Sequence, residues 1–278
     1  MRGDKPVHTT AGVELVRKLA SDGLRVFTTT QARQYAPSVE LSDSYFRQAL
    51  HHLANSGWIV RLHRGLYALS PTVPGVTPAH EFEIAMALAS PAAISHWSAL
   101  HHHGLTEQAP RKVFVLTTLG SRVPRSGSSK TAPAGGGQRI GEAVYQFIQV
   151  APQRFFGTEE VWVGDARVTI TDPERTLLDG LCRPQHCGDF AEVLHAFDAL
   201  GGRLDVERIM AYALEIDAAT VKRLGWVLEN HGVESARLER LARFPVKGYR
   251  ALDPTGPRKG PCNRRWMIQE NLPGRTPT

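Results

Sequence analysis

Apolar residues recur at Phe46, Ala49, Leu50 and Leu53, the i, i+3, i+4, i+7 spacing that lines one stripe of an α-helix. The spacing predicts a helix over 42–56 with that stripe buried. Ser44, Gln48, His51 and Asn55 then point outward, flanked by Arg47 on one side and by Tyr45 and His52 on the other. Ser42 is expected to cap the helix start with its side-chain oxygen, and Gly57 to end it by taking a left-handed conformation. Just upstream, the run from Thr28 to Gln31 opens a shorter helix through Tyr35, which Pro37 ends. After Gly57 the period drops to two. Residues 58–62 and 66–69 flank His63-Arg64-Gly65, a β-hairpin signal with a glycine turn. Together with a first helix over 10–22, carrying Val13, Leu15, Val16, Leu19 and Ala20 inward, these elements predict a winged helix-turn-helix.

Beyond residue 78 the pattern changes. SPTVPGVTP at 70–78 reads as a linker, and a second architecture begins: a helix over 79–89, an apolar run at 92–94, a helix opened by Ser95, and a strand at 113–116. Residues 119–138, rich in Gly, Ser and Pro, are expected to form a mobile loop. Strands follow at 143–150, 160–163 and 167–170. Asp172-Pro173-Glu174 caps a helix through Leu181, with Glu174 read as favourable charge on a helix start. Further helices are expected at 188–200, 205–214, 217–231 and 234–242, and two short strands in the tail around Tyr249 and Trp266. The fold class is α+β: an N-terminal winged helix-turn-helix over 1–72, then a larger mixed α/β domain over 79–278.

Charge sharpens this division. The formal net charge of +6 is uneven: +4 over residues 1–75, −4 over 76–242 and +6 over 243–278. Such asymmetry points to a polyanionic partner for the ends and to another role for the middle. In a winged helix the second helix enters the major groove, where base edges carry a full donor and acceptor code, while the wing meets phosphates. Ser42, Ser44, Tyr45, Arg47, Gln48 and His51 are therefore the candidate groove-side residues. Arg61, His63 and Arg64, a hairpin tip with no acid, are the candidate phosphate contacts. The basic tail, with Arg250, Arg258, Lys259, Arg264 and Arg265 near Tyr249 and Trp266, reads equally as a second nucleic-acid surface or as a charged strand edge.

Other chemistry is weakly supported. Within the segment holding His96 and His101-His102-His103, only His96 and His103 share a helix face. Cys182, His186 and Cys187 make half a zinc site without the other half. Glu174 and Asp179 lie five apart, off a common face. The sequence holds no phosphate loop, nucleophile elbow or dinucleotide turn, so neither metal, cofactor nor catalytic residues are expected. Three cysteines do not make a disulfide framework, no run reaches the roughly 18 apolar residues of a membrane span, and the start carries no signal peptide; a cytoplasmic location is expected.

Three blocks carry a family resemblance: GWIVRLHRGLY at 57–67, ISHWSALHHHGLT at 94–106 and TDPERTLLD at 171–179. Together they resemble the AbiEi-type antitoxins and transcriptional regulators of abortive-infection toxin-antitoxin systems. The resemblance implies a winged helix that represses its own operon by binding inverted repeats in double-stranded DNA; since one winged helix covers only a half-site, two copies on the repeat are the natural geometry. It further implies a C-terminal domain that counteracts a nucleotidyltransferase-like toxin, by direct contact or otherwise. Two other readings stand beside it. One is an enzyme whose C-terminal domain modifies the toxin or a nucleotide, with the winged helix only localising it; a cleft of converging carboxylates would mark it. The other is a winged-helix protein adaptor, which would show no salt-dependent affinity for DNA.

Overall fold

The structure, a computed structural model, describes residues 6–74, 76–124 and 136–272. The chain divides into two compact units, one of residues 1–91, 121–146 and 162–168, the other of 92–120, 147–161 and 169–278. Most of the loop expected at 119–138, residues 125–135, lies outside the described residues.

The first unit opens with α1 (Pro6–Ser21), which starts four residues before the expected position, then β1 (Val26–Thr28), α2 (Thr29–Tyr35) and a 3-10 turn (Ala36–Val39). Thr28 caps α2 in a capping box with Gln31, satisfying both orphan donors reciprocally. Pro37 does not end the helical path. It sits in the first turn of the 3-10 segment, where its missing N–H leaves no ladder bond unmade. Next come α3 (Asp43–Asn55), β2 (Ile59–His63) and β3 (Leu66–Leu69). Phe46, Ala49, Leu50 and Leu53 of α3 are all buried, against Leu15, Val16 and Leu19 of α1 and Phe27 of β1. Each large side chain so buried stabilises by about 1.5–3 kcal/mol relative to exposure. The three strands form an antiparallel sheet in the order β1-β3-β2, so β1, unforeseen in the sequence, extends the wing to three strands. Residues 70–73 are fastened to this domain: Ser70 N–H donates to the Trp58 carbonyl (3.0 Å), and Val73 joins the core. α4 (Glu81–Leu88) follows.

In the second unit β4 (Ala92–Ile94), α5 (His96–His102) and β5 (Val113–Thr118) come first. β6 (Gln138–Ile140) reclaims for a strand the end of the expected loop; β7 (Ala143–Val150), β8 (Thr158–Val163) and β9 (Ala166–Thr171) complete a six-stranded mixed sheet in the order β6-β7-β5-β4-β9-β8. β6 and the far ends of β7, β8 and β9 are counted with the first unit. α6 (Pro173–Cys182), α7 (Phe190–Leu200), α8 (Val206–Leu214) and α9 (Ala218–Asn230) pack around one core. α10 is only Glu239–Ala242, because 235–238 forms a turn. The tail holds three two-residue strands, β10 (Arg250–Ala251), β11 (Cys262–Asn263) and β12 (Ile268–Gln269). Trp266 lies in the turn before β12 and is fully buried, its ring against Gly225 of α9, where any Cβ would collide with it.

Candidate nucleic-acid interface

The outward side of α3 is free of packing. Ser42, Ser44, Arg47, Gln48 and His51 are exposed and Tyr45 is half-buried. Ser42 occupies the cap position with extended backbone, but its hydroxyl makes no capping bond. It lies 3.3 Å from the Ser44 hydroxyl instead, which corrects the expectation of a side-chain cap. The other end follows expectation: Gly57 takes φ +75°, with bonds from Gly57 N–H to Ala54 O (3.2 Å) and Trp58 N–H to Leu53 O (2.9 Å), the paired closure of a Schellman motif. Two further features organise the helix. His51 Nε2 lies 3.0 Å from Asn55 Nδ2, and the Tyr45 and His52 rings stack 6.5 Å apart. Arg33 of α2 reaches Asp43 (3.4 Å) and covers the Phe46 ring, fixing the two helices of the motif to each other.

The wing is pinned at its tip. Gly65 has φ +76°, and its carbonyl accepts from both the N–H (2.9 Å) and the hydroxyl (3.3 Å) of Thr29, so the turn rests on the start of α2. The strand register shifts between Arg61 and His63, a bulge at Leu62 that re-aims the side chains around it. The hydroxyl at Thr29 and the Arg-Gly turn are visible in the sequence, but the contact between them and the bulge depend on the folded register. Arg61, His63 and Arg64 are exposed, and among the described residues none has a carboxylate within ion-pair distance. The same holds for Arg47. In water and near a duplex, such unopposed cations displace condensed counterions.

The second unit uses its charged motif differently. Asp172 caps α6 through Arg175 N–H (2.7 Å) and accepts from the Tyr212 hydroxyl (3.0 Å); burial raises its pKa. Glu174 is buried rather than a solvated charge on a helix start: it accepts from Asp205 N–H (3.0 Å) and meets Arg208 (3.7 Å). Arg175 is buried, donating to the carbonyls of Arg154 (2.8 Å) and Phe156 (3.0 Å) and to Asp179 (3.0 Å). Asp179 has its pKa raised by burial, against the lowering effect of Arg175. Arg175 and Asp179 border a cavity of about 40 Å3, with His96, Arg154 and Arg183 on its wall, room for a water or two. Asp179 contributes its one carboxylate, so no carboxylates converge there.

His96 is buried with φ +49°, against Ser95 (2.9 Å) and the ring of His186 (5.5 Å), and burial takes its pKa well below the usual imidazole value. His103 Nε2 lies 2.7 Å from the Thr171 carbonyl oxygen, so the two histidines serve different contacts. Cys182 faces Thr220 and Asp217, Cys187 is buried, and the three cysteines are unbridged. Among the described residues no three His, Cys, Asp or Glu side chains group to hold a metal, and no helix is long and apolar enough to cross a membrane. In the tail, Trp266 donates to Glu229 (2.6 Å) and Arg265 pairs with Glu229 (3.2 Å) and Glu239 (3.0 Å), so neither is free to meet a nucleic acid.

The fold and the exposed helix face beside the wing define a winged helix-turn-helix protein with a larger α+β domain. Family comparison gives the particular group: residues 14–70 match the transcriptional-regulator AbiEi antitoxin model, and residues 92–230 match the AbiEi antitoxin C-terminal domain. The chain belongs to the AbiEi antitoxin family. A search of curated proteins gave no match. Among solved structures, the RV2827C protein from Mycobacterium tuberculosis shares the fold, with a TM-score of 0.66 at 16% identity over 93% of this chain and 90% of that one.

Proposed function

We propose that this antitoxin-family regulator is a DNA-binding autorepressor: α3 enters the major groove of an inverted repeat ahead of its own operon, and Arg61, His63 and Arg64 grip the backbone. Ser42, Ser44, Tyr45, Arg47, Gln48 and His51 form the groove side. One winged helix covers a half-site, so two copies occupy the repeat. Residues 79–278 counteract a nucleotidyltransferase-like toxin, acting by binding rather than catalysis, in the cytoplasm and without cofactor or metal. The observation that carries the DNA reading is the pairing of an unpacked polar helix face with wing cations that, among the described residues, no carboxylate offsets. In the α6 block Asp172, Glu174 and Arg175 each spend their charge on partners inside the domain, which favours binding over chemistry for the second domain.

The decisive experiment titrates the full chain against a duplex carrying the repeat upstream of its reading frame, at several salt concentrations, beside a scrambled duplex. Specific binding with a steep inverse salt dependence is expected; salt-independent or absent binding would leave the adaptor reading. Co-expression with a neighbouring nucleotidyltransferase-like gene tests the other half, growth rescue being the expected result.

A further inference from the structure

A concavity of the first unit, about 690 Å3, lies beside the wing and takes no part in the proposed duplex contacts. Val60 and Leu62 of β2 line it, interleaved with Arg61 and His63. Ile84 of α4, Ile140 of β6 and Val163 of β8 complete an apolar lining. Val60 is 41% exposed and Leu62 half-buried, whereas Ile59 of the same strand is buried. A volume of this size is in the range of sites that hold small organic ligands, and an apolar lining with a few placed polar groups is their usual make-up.

The charge of the site selects among ligands. Glu81, Glu142 and Asp165 stand at its rim. Its one arginine, Arg25, is already committed: its guanidinium lies 3.1 Å from Glu83 and 3.3 Å from Asp165. Among the described residues, Glu81 and Glu142 have no cation within ion-pair distance. The Tyr145 hydroxyl donates to the Glu81 carbonyl (3.1 Å), holding the start of α4 against β7. An apolar lining with Glu81 and Glu142 unpaired among the described residues, and Arg25 already held by Glu83 and Asp165, disfavours anions. It suits an aromatic or branched body carrying a positive charge.

We propose that this groove is a binding site for a small apolar cation. The test is calorimetric titration of the full chain, without DNA, with tetraphenylphosphonium and with its isosteric anion tetraphenylborate. The expected result is one site that binds the phosphonium at least tenfold more tightly than the borate. Glu142→Lys, in the exposed β6–β7 turn, should weaken the phosphonium at least fivefold. Ala143→Trp, which fills the groove, should abolish binding. Equal affinity for the two ions would mean only apolar adhesion and would overturn the proposal. So would phosphonium binding unmoved by Glu142→Lys, a variant whose exposed site spares the fold. Because no nucleic acid is present, neither outcome bears on duplex recognition.

Discussion

The α3–wing surface and the α6 block are both rich in charged and polar residues, and the molecule treats them in opposite ways. On α3 and the wing, Arg47, Gln48, Arg61 and Arg64 stand in solvent with no ion-pair partner among the described residues, and the exposed His51 lies beside Asn55 of its own helix. On α6, Asp172, Glu174, Arg175 and Asp179 are buried, and each is answered by a named partner. Polar residues at regular spacing therefore carry no meaning until their surroundings are known: the first set is available to a partner, the second holds its own domain together.

The sharpest way to break this comparison is to remove a buried partner. Arg175→Ala would strand Asp179, already short of one hydrogen bond at Oδ2, and free the carbonyls of Arg154 and Phe156. Breaking a buried pair from one side costs about 3–5 kcal/mol, and urea unfolding should show a loss of that size. A loss below about 1 kcal/mol, typical of solvent-exposed pairs, would mean the block is not the internal brace described above.

Gln48→Ala should do the reverse, leaving stability untouched and costing about 1–3 kcal/mol at one base pair of the operator. Competition binding against single-base operator variants reads this directly. Uniform weakening across all variants, or none, would show that a different face of α3 meets the bases.

Much of this was legible in sequence because it rests on local rules. The buried stripe of α3 and the turn at Gly57 follow from helical periodicity and from left-handed backbone, both set within a few residues. What escaped depends on distant partners. β1 is three residues long, too short to show a period, and exists because β3 pairs with it. Glu174 is indistinguishable in sequence from any acid on a helix start; only the arrival of Asp205 and Arg208 makes it a buried acceptor. Trp266 looked like a strand residue beside Ile268 until α9 presented Gly225 to its ring. Of the candidate site, residue identities could be read in advance, but the tie from Thr29 to the wing tip and the bulge at Leu62 required three strands to be in register.

Acid exposes another consequence of burial. His96 is held neutral chiefly by desolvation, with His186, Arg175 and Arg183 adding to the effect, and His186 is itself lowered by burial. With a folded-state pKa below the unfolded value of about 6.5, the neutral imidazole contributes stability that is present above that pH and lost as the pH falls below it. The loss approaches about 1.4 kcal/mol per pH unit for one such group. His96→Asn, a residue that tolerates positive φ, should flatten the decline between pH 6.5 and 5 in urea midpoints. An unchanged slope would place the acid-sensitive group elsewhere.

The finest distinction concerns the wing alone. Arg64 sits beside the Gly65 turn, exposed and, among the described residues, without an acid to balance it, so its contribution to binding should come from counterions released at one phosphate. Arg64→Ala should then weaken operator and scrambled duplex by similar factors and reduce the slope of log K against log salt by about 0.9. The affinity gap from the unsubstituted protein should narrow as salt rises, since each released ion counts for less in a concentrated bath. Fluorescence anisotropy at three or more salt concentrations separates this from a base contact, whose loss would shift the line without changing its slope. A parallel shift would move Arg64 from the backbone-gripping set to the base-reading one and would demand a wing that enters a groove.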